Sequence, residues 1–282
     1  MTIAVGFCFQ NGVLICADTE MTDSAAKYAS PKIFPYAFGG GQGRKPTQVV
    51  FAITGSLSRA TRAVELCARA LSTMQRKCPL EMNNEGIQNC LEETLRAFHE
   101  KHIFPHPHYG SDDAPWVGLI IGLWSTVTGR TSLLTTDEEI VKTVHDYHCL
   151  GIGSYFARYA CAGLFKQNMS LRDIHLLAIH VLQQTKNNVP NCGKQSQFIA
   201  LTDGKISPPS YLDVSLGETY SDDFIQLMNG LLFKLADPDE PLKNIVDTFS
   251  AYAEAIREER KAKTDEYERV WKILAGTEEK SS

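Results

Sequence analysis

The first eighteen residues constrain the fold more than any other stretch of this sequence. Residues 2–18 contain two runs rich in Val, Ile, Phe and Leu, with Gln10-Asn11-Gly12 between them. An Asn-Gly pair between two such runs predicts a β-hairpin. The chain would then begin inside a sheet, which would hold the side chain of Thr2 in a fixed place.

Thr2 is a candidate nucleophile. Only Met1 precedes it in the sequence, and we expect Met1 to be removed because the next residue is small. Removal would expose the α-amine of Thr2, whose ordinary pKa of about 7.7–8.0 lets it take the hydroxyl proton near neutral pH. One residue would then supply both the nucleophile and its base.

Two charged residues are predicted to lie beside Thr2. Asp18 ends the second strand, and a tight hairpin places that end next to the start of the first strand. Lys32 begins the next extended run, and an ammonium near Thr2 would favour its deprotonated oxygen. Thr2, Asp18 and Lys32 are therefore candidate partners in catalysis.

Several motifs resemble the proteasome β-subunit family, in particular bacterial members with little or no propeptide. The matching motifs are Thr2, GVLICADTEMT at 12–22, Lys32 before Ile33-Phe34, and FAITGS at 51–56. The resemblance covers about residues 2–212. It implies an N-terminal nucleophile (Ntn) hydrolase that cleaves peptide bonds, assembles with its own copies into a ring-shaped particle, and could work with an ATPase or other regulator.

The resemblance also assigns catalytic roles. In this family an Asp and a Lys support the N-terminal Thr, and a glycine N–H forms the oxyanion hole. These roles fall to Thr2, Asp18, Lys32 and Gly55. Gly55 directly precedes a predicted helix, whose first N–H groups are unpaired and point toward negative charge, as an oxyanion site requires.

Substrate-binding residues follow from the same correspondence. Thr22 would pair with the substrate backbone, while Met21, Ile53 and Leu57 would line the specificity pocket. Because these three side chains are apolar, we expect a preference for apolar residues on the acyl side of the cleaved bond. Ile53 and Leu57 could equally well pack in the core.

The sequence departs from the family pattern near residue 190. Where the family has an Asp and, three residues later, a Ser before a Gly, this chain has Val189 and Cys192. Ile152 stands in the place of another supporting hydroxyl. Either the activity is altered or other groups support the amine of the nucleophile.

The order of predicted elements is strands, two helices, strands, two helices and strands. This order indicates an α+β protein with a four-layer αββα sandwich over residues 1–212, followed by a C-terminal helical extension over 213–282. Predicted helices span about 56–77, 84–102, 154–167, 171–186, 222–236 and 242–274. After the hairpin, predicted strands span 32–38, 48–54, 116–124, 131–136, 140–147, 195–202 and 205–212.

Composition excludes several classes of protein. The net charge of -5 and a pI of about 5.9, with scattered Lys and Arg, argue against nucleic acid as a partner. No apolar run approaches the roughly 18 residues of a membrane span. The eight cysteines form no CxxC pair, which is typical of free thiols in a reducing compartment. We therefore predict a cytoplasmic protein without disulfides.

The histidine-rich segment 99–108 raises the question of a metal site. Its spacing matches no standard zinc pattern, no cysteine accompanies it, and Pro105 and Pro107 hold its last histidines in an extended loop. The segment Gly151-Ile-Gly-Ser154 is too short for a phosphate loop. We expect neither a metal nor another cofactor.

Three functions remain open from the sequence. The first is a threonine-type endopeptidase. The second is a catalytically inactive, proteasome-like structural or binding subunit, which the residues at 189 and 192 suggest. The third is an Ntn amidohydrolase acting on a small amide, since one fold can serve both kinds of chemistry.

Overall fold

The structure is a computed structural model that describes residues 2–22, 26–40, 45–111, 114–209 and 211–274. The chain is mixed α/β and divides into two units, Met1–Pro209 and Ser210–Ser282. Its strands are β1 (Ile3–Phe9), β2 (Gly12–Asp18), β3 (Glu20–Thr22), β4 (Lys27–Ala29), β5 (Ile33–Phe38), β6 (Thr47–Gly55), β7 (Val117–Trp124), β8 (Thr131–Asp137), β9 (Ile140–Val144), β10 (Tyr147–Gly151), β11 (Ser196–Thr202) and β12 (Lys205–Ser207). Its α-helices are α1 (Leu57–Lys77), α2 (Asn84–His102), α3 (Ser154–Ala162), α4 (Leu171–Asn188), α5 (Tyr211–Ala236) and α6 (Leu242–Leu274).

The first sheet contains the predicted N-terminal hairpin. Its strands lie in the order β10-β1-β2-β11-β12 and are all antiparallel to their neighbours. Ile3 pairs with Gly151 of β10, and Asp18 pairs with Ser196 of β11. Four strand ends therefore meet beside Thr2, at the same end of this sheet. They are the start of β1, the end of β2, the end of β10 and the start of β11.

The second sheet has the order β5-β6-β7-β8-β9. The prediction of a single strand over 140–147 is wrong, because β9 belongs to this sheet and β10 belongs to the first sheet. Between the two strands, the carbonyl of Asp146 accepts a hydrogen bond from Cys8 N of β1 at 2.7 Å. Such a switch between sheets depends on tertiary pairing and has no signal in the local pattern of apolar residues.

Helix α5 begins at Tyr211, eleven residues before the predicted start at 222, and it takes up the end of the predicted strand 205–212. Other departures from the predicted elements are small. The sequence pattern predicts no strand over residues 21–30, but the short paired strands β3 and β4 include most of the described part of this range, and 23–25 lie outside the described residues. Helix α3 ends at Ala162, before Gly163, rather than at 167. Strand β12 ends at Ser207, before two prolines that cannot donate to a ladder.

Apolar side chains from the two sheets meet in a shared core. The first sheet contributes Ala4, Val13 and Ile15, and the second contributes residues such as Val50 and Ile120. The other face of the second sheet packs against α1 and α2. Helices α3 and α4 contact β1, β2 and β10 of the first sheet. This packing fixes the edge of the first sheet at which Thr2 lies.

The second unit consists of the two long helices α5 and α6, which contact each other. Lys234 Nζ donates a hydrogen bond to Thr248 Oγ1 at 3.1 Å, and Tyr252 OH donates to the carbonyl of Tyr220 at 3.5 Å. Leu232 and Phe233 are both exposed. No helix within the described ranges is long and apolar enough to cross a membrane.

Candidate active site

Thr2, Asp18 and Lys32 converge at the edge of the first sheet. The hydroxyl of Thr2 donates to Asp18 Oδ1 at 2.5 Å, and Lys32 Nζ donates to the same Thr2 oxygen. Lys32 Nζ also lies 2.7 Å from Asp18 Oδ1. The three residues predicted to act together are thus in direct contact.

The backbone places these three side chains. The β1–β2 register pairs Ala4 with Ala17, so Asp18 follows at the level of Ile3, whose N–H donates to Asp18 Oδ1 at 3.0 Å. Lys32 precedes β5 and is fixed from both sides. Its N–H donates to Gln197 Oε1 of β11 at 2.8 Å, and its carbonyl accepts from Ile53 N of β6 at 3.0 Å. Hydrogen bonds to β11 and β6 therefore hold Lys32, at the start of β5, beside Thr2.

The site is a buried ion pair with a complete set of hydrogen bonds. Asp18 is 0% exposed and Lys32 is 1% exposed. The ammonium of Lys32 has three N–H groups, and they donate to Thr2 Oγ1, Asp18 Oδ1 and the carbonyl of Glu20, the last at 2.6 Å. Burial lowers the pKa of Lys32 below its usual range, and the nearby carboxylate of Asp18 opposes that shift. Such an ammonium can stabilise an alkoxide at Thr2 at little cost in solvent reorganisation.

Gly55 adopts a backbone conformation that only glycine tolerates well. Its φ is +90°, and a Cβ at this position would lie 2.2 Å from the carbonyl oxygen of Trp116. Ser56 N donates to that same oxygen at 3.0 Å. Ser56 is also the N-cap of α1, and its side chain makes no hydrogen bond to the helix. The turn predicted to hold an oxyanion is therefore built around a glycine that cannot be replaced without strain.

The loop that follows α4 supplies a contact that the sequence did not reveal. Gly193 N donates to Asp18 Oδ2 at 2.9 Å, and Gly193 O accepts from Glu20 N at 3.1 Å. Two non-glycine residues of the loop, Asn191 and Lys194, have positive φ values of 66° and 63°. Because Gly193 holds Asp18 through its backbone, this bond does not depend on which side chains precede it.

The two unusual residues of this loop are both buried. Val189 and Cys192 have almost no exposed surface. Burial, together with the nearby Asp18 carboxylate, raises the pKa of the Cys192 thiol to about 12, while Lys32 opposes the shift. The thiol is therefore neutral at physiological pH. It offers a weak hydrogen-bonding group at the position where the resemblance to proteasome β-subunits predicts a serine hydroxyl.

The predicted specificity residues have different environments. Ile53 is 2% exposed and packs in the core between the second sheet and helices α1 and α2, with Leu57 partly buried against that core. Met21 is also buried. Thr22 is only partly buried, and its hydroxyl donates to Asn191 Oδ1 at 3.5 Å. Of the four, Thr22 and Leu57 keep some exposed surface.

A polar cavity lies between the β3–β4 hairpin and the loop after α4. Its volume is about 590 Å³, and its lining includes Glu20, Lys27, Asn191, Cys192 and Gly193. Glu20 and Lys27 form an ion pair on the hairpin wall of the cavity, with an N···O distance of 2.7 Å. The cavity therefore borders the residues that hold Asp18, but its walls are polar and do not resemble an apolar specificity pocket.

The histidines of the segment 99–108 lie in different environments. His99 is buried and its Nδ1–H donates to the carbonyl of Leu95 at 2.9 Å, whereas His108 is exposed. Across the described parts of the chain, no group of three His, Cys, Asp or Glu side chains could hold a metal ion. All eight cysteines are free thiols.

The arrangement of the two sheets and their helices defines a proteasome-like fold, which comparison with solved structures supports. Among these structures is an Anbu (Gly-1) mutant from Hyphomicrobium sp. strain MC1, which matches with a TM-score of 0.63 and 15% sequence identity. The match covers 81% of this chain and 97% of that chain. No protein-family model and no curated protein sequence matches the chain.

Proposed function

We propose that the protein is a threonine-type endopeptidase in which Thr2 is the N-terminal nucleophile. In this proposal residues 1–212 form the four-layer αββα sandwich of an Ntn hydrolase, and residues 213–282 form a helical extension. The observation that carries the proposal is the contact of Thr2 Oγ1 with both Asp18 and Lys32 in a buried, fully hydrogen-bonded cluster. Perturbed, buried ionisable groups around a nucleophile are typical of catalytic sites.

The proposed reaction has two halves. Thr2 Oγ attacks the carbonyl carbon of the peptide bond, and the Thr2 α-amine takes the hydroxyl proton and passes it to the leaving amine. Lys32 stabilises the alkoxide, Asp18 holds Lys32, and Gly55 N–H donates to the oxyanion. Water, deprotonated by the same amine, then attacks the ester and frees Thr2. This mechanism requires removal of Met1, which lies outside the described residues.

The proposal extends to assembly and location. A self-assembled, ring-shaped particle of identical subunits would enclose the sites and restrict them to unfolded or short peptides. We also propose a cytoplasmic location, with an ATPase or other regulator as a partner. Sedimentation or mass photometry of the purified protein tests the assembly, and a particle of many subunits is the expected result.

Peptide hydrolysis tests the enzymatic proposal. A panel of fluorogenic peptides should be cleaved by the purified protein, and Thr2→Ala should lower kcat/KM by at least about 10³-fold because it removes the nucleophile. Thr2→Ser should retain measurable activity, since serine carries the same hydroxyl. Equal hydrolysis by wild type and Thr2→Ala would contradict the proposal. No hydrolysis, with Met1 retained, would favour the inactive-subunit alternative.

A further inference from the structure

Trp116 presents an unusually exposed aromatic side chain next to the proposed oxyanion turn. It immediately precedes β7, whose first residue, Val117, pairs with Gly55. The residue is 46% exposed, although a Trp side chain carries a large apolar surface. An exposed aromatic side chain at a candidate active site calls for a physical explanation.

Two glycines provide the surface on which the indole lies. A Cβ at Gly55 would lie 3.1 Å from Trp116 Cδ2, and a Cβ at Gly118 would lie 3.0 Å from Trp116 Cζ3. The ring therefore packs closely against backbone at positions where a side chain would push it away. Its backbone is fixed as well, because the Trp116 carbonyl accepts from Ser56 N. The indole is held in place while much of its surface remains open.

Close backbone approaches link β7 with β10, and β10 with the start of β1. The Cβ position of Gly118 is 3.3 Å from Leu150 Cδ1, and Leu150 pairs with Ala4 at the start of β1. The next residue, Gly151, approaches so closely that a Cβ there would lie 2.1 Å from the carbonyl of Thr2. Trp116 and Thr2 therefore both lie close to the end of β10, and Gly55 lies beside Trp116.

Other apolar side chains near the site are less available to a substrate. Ile53 and Met21 are buried, Leu57 is partly buried, and Ile152, which is 41% exposed, follows Gly151 rather than Gly55. The cavity lined by Glu20 and Lys27 is polar. Trp116 thus offers the larger open apolar surface beside Gly55. A fully covered aromatic side chain buries about 150–250 Å². Covering even part of the open indole would give a substrate side chain a substantial apolar contact.

We propose that the indole of Trp116 is the apolar wall that selects the substrate. It contacts an apolar or aromatic side chain in the acyl part of the substrate, next to the carbonyl whose oxygen Gly55 binds. This proposal rests on the proposed peptidase function and assigns its specificity to a residue that the sequence did not indicate. Trp116 is a specificity-determining residue and takes no part in proton transfer.

The test compares Trp116→Ala and Trp116→Phe with Tyr159→Ala, which removes an aromatic side chain from the exposed face of α3. For each variant, kcat/KM is measured with peptides that carry Leu, Phe, Arg or Glu before the cleaved bond. In Trp116→Ala the ratio of kcat/KM for the apolar peptides to kcat/KM for the charged peptides should fall by about 10-fold or more. The fall should come mainly from a higher KM for the apolar peptides. Trp116→Phe should restore part of this ratio, and Tyr159→Ala should leave the ratio unchanged. An unchanged ratio in Trp116→Ala would overturn the proposal.

A second measurement separates this proposal from the peptidase proposal. Labelling by a small β-lactone without an acyl side chain reports on Thr2. Tyr159→Ala should be labelled at the wild-type rate, and both Trp116 variants should still form the adduct. If wild type is not labelled, the peptidase proposal fails. Binding of an uncleavable apolar peptide amide can still be followed by tryptophan fluorescence. A spectral change that disappears in Trp116→Phe would support the apolar wall, and no change would refute it.

Discussion

Two lysine–carboxylate pairs lie within a few residues of each other and have the same N···O distance of 2.7 Å. In the inner pair, the side chains of Lys32 and Asp18 are 1% and 0% exposed. In the outer pair, Lys27 is half exposed while Glu20 is largely buried. The two pairs therefore cannot be distinguished by the distance between their charges. They differ in how far their side chains are buried.

The inner pair is also held by several hydrogen bonds. Asp18 accepts from Thr2, Ile3 N, Lys32 and Gly193 N. Buried ion pairs rarely stabilise a protein relative to apolar residues of similar size, because desolvation of the charges offsets their attraction. The inner pair is thus better explained by its contact with Thr2, the proposed nucleophile, than by stability. The outer pair closes one wall of a polar cavity.

Removal of each lysine should give the largest contrast between the pairs. Lys32→Met should lower kcat/KM by at least about 10²-fold, because the developing alkoxide loses its ammonium. It should also lower the free energy of unfolding by about 3–5 kcal/mol, since Asp18 is left buried without its partner. Lys27→Met should cost about 1 kcal/mol or less, because its charge is half exposed and screened by solvent. Peptide hydrolysis and urea denaturation measure the two effects.

Lys27→Met is the matched control in that experiment, since both changes remove one ammonium and keep a side chain of similar length. Comparable losses of activity in the two variants would mean that burial does not distinguish the pairs. A folded and fully active Lys32→Met protein would contradict the proposed role of Lys32.

Double-mutant cycles would sharpen the comparison. We expect Asp18→Asn and Lys32→Met to be coupled by about 1–3 kcal/mol, so the double variant is less destabilised than the sum of the single changes. Activity should stay low in the double variant even where stability returns. For Glu20→Gln and Lys27→Met the coupling should be below about 1 kcal/mol. A larger coupling energy in the outer pair than in the inner pair would contradict the conclusion that the buried pair is the more strongly coupled one.

Salt should affect the two cycles differently. Raising the ionic strength from about 0.05 M to 1 M shortens the Debye length to about 3 Å and screens exposed charges strongly. The coupling of the outer pair should then fall toward zero, while that of the buried inner pair should change little. Urea denaturation of the same variants at both salt concentrations measures this difference. A strong salt dependence of the inner coupling would show that solvent reaches Lys32.

The smallest expected effect is the pH dependence of stability. Burial lowers the pKa of Lys32 below its ordinary value of 10.5, so the unfolded chain binds its proton more readily than the folded chain does. The contribution of Lys32 to stability is therefore present above pH 10.5 and is lost as the pH falls through the folded-state pKa. The difference in unfolding free energy between wild type and Lys32→Met should rise with pH in this window. A flat difference would contradict the direction of the shift.

Local patterns predicted much of the structure around Thr2. The Asn11-Gly12 turn indicated the hairpin, and the hairpin geometry placed Asp18 beside the first strand. The helix predicted over 84–102 is present with those bounds as α2. In each case the signal lies within a few residues of the feature, because turn chemistry and helical periodicity are local properties.

Features that depend on distant partners could not be predicted in the same way. The Gly193 N–H reaches Asp18 across 175 positions of sequence, and nothing in the local pattern of its loop indicates that partner. The exposure of Trp116 depends on the path of β7 beside β6. The predicted strand 140–147 divides between two sheets for a similar reason. Tertiary packing determines these features, and residue type alone does not.

The most direct test of the central claim is the intact mass of the purified protein before and after treatment with a threonine-directed epoxyketone. We expect the N-terminal residue to be Thr2 and one adduct to form. We also expect Thr2→Ala to form no adduct, whereas Lys27→Met should react like the wild type. Adduct formation by Thr2→Ala, or a wild-type protein with a free Thr2 amine that does not react, would contradict the assignment of Thr2 as the nucleophile.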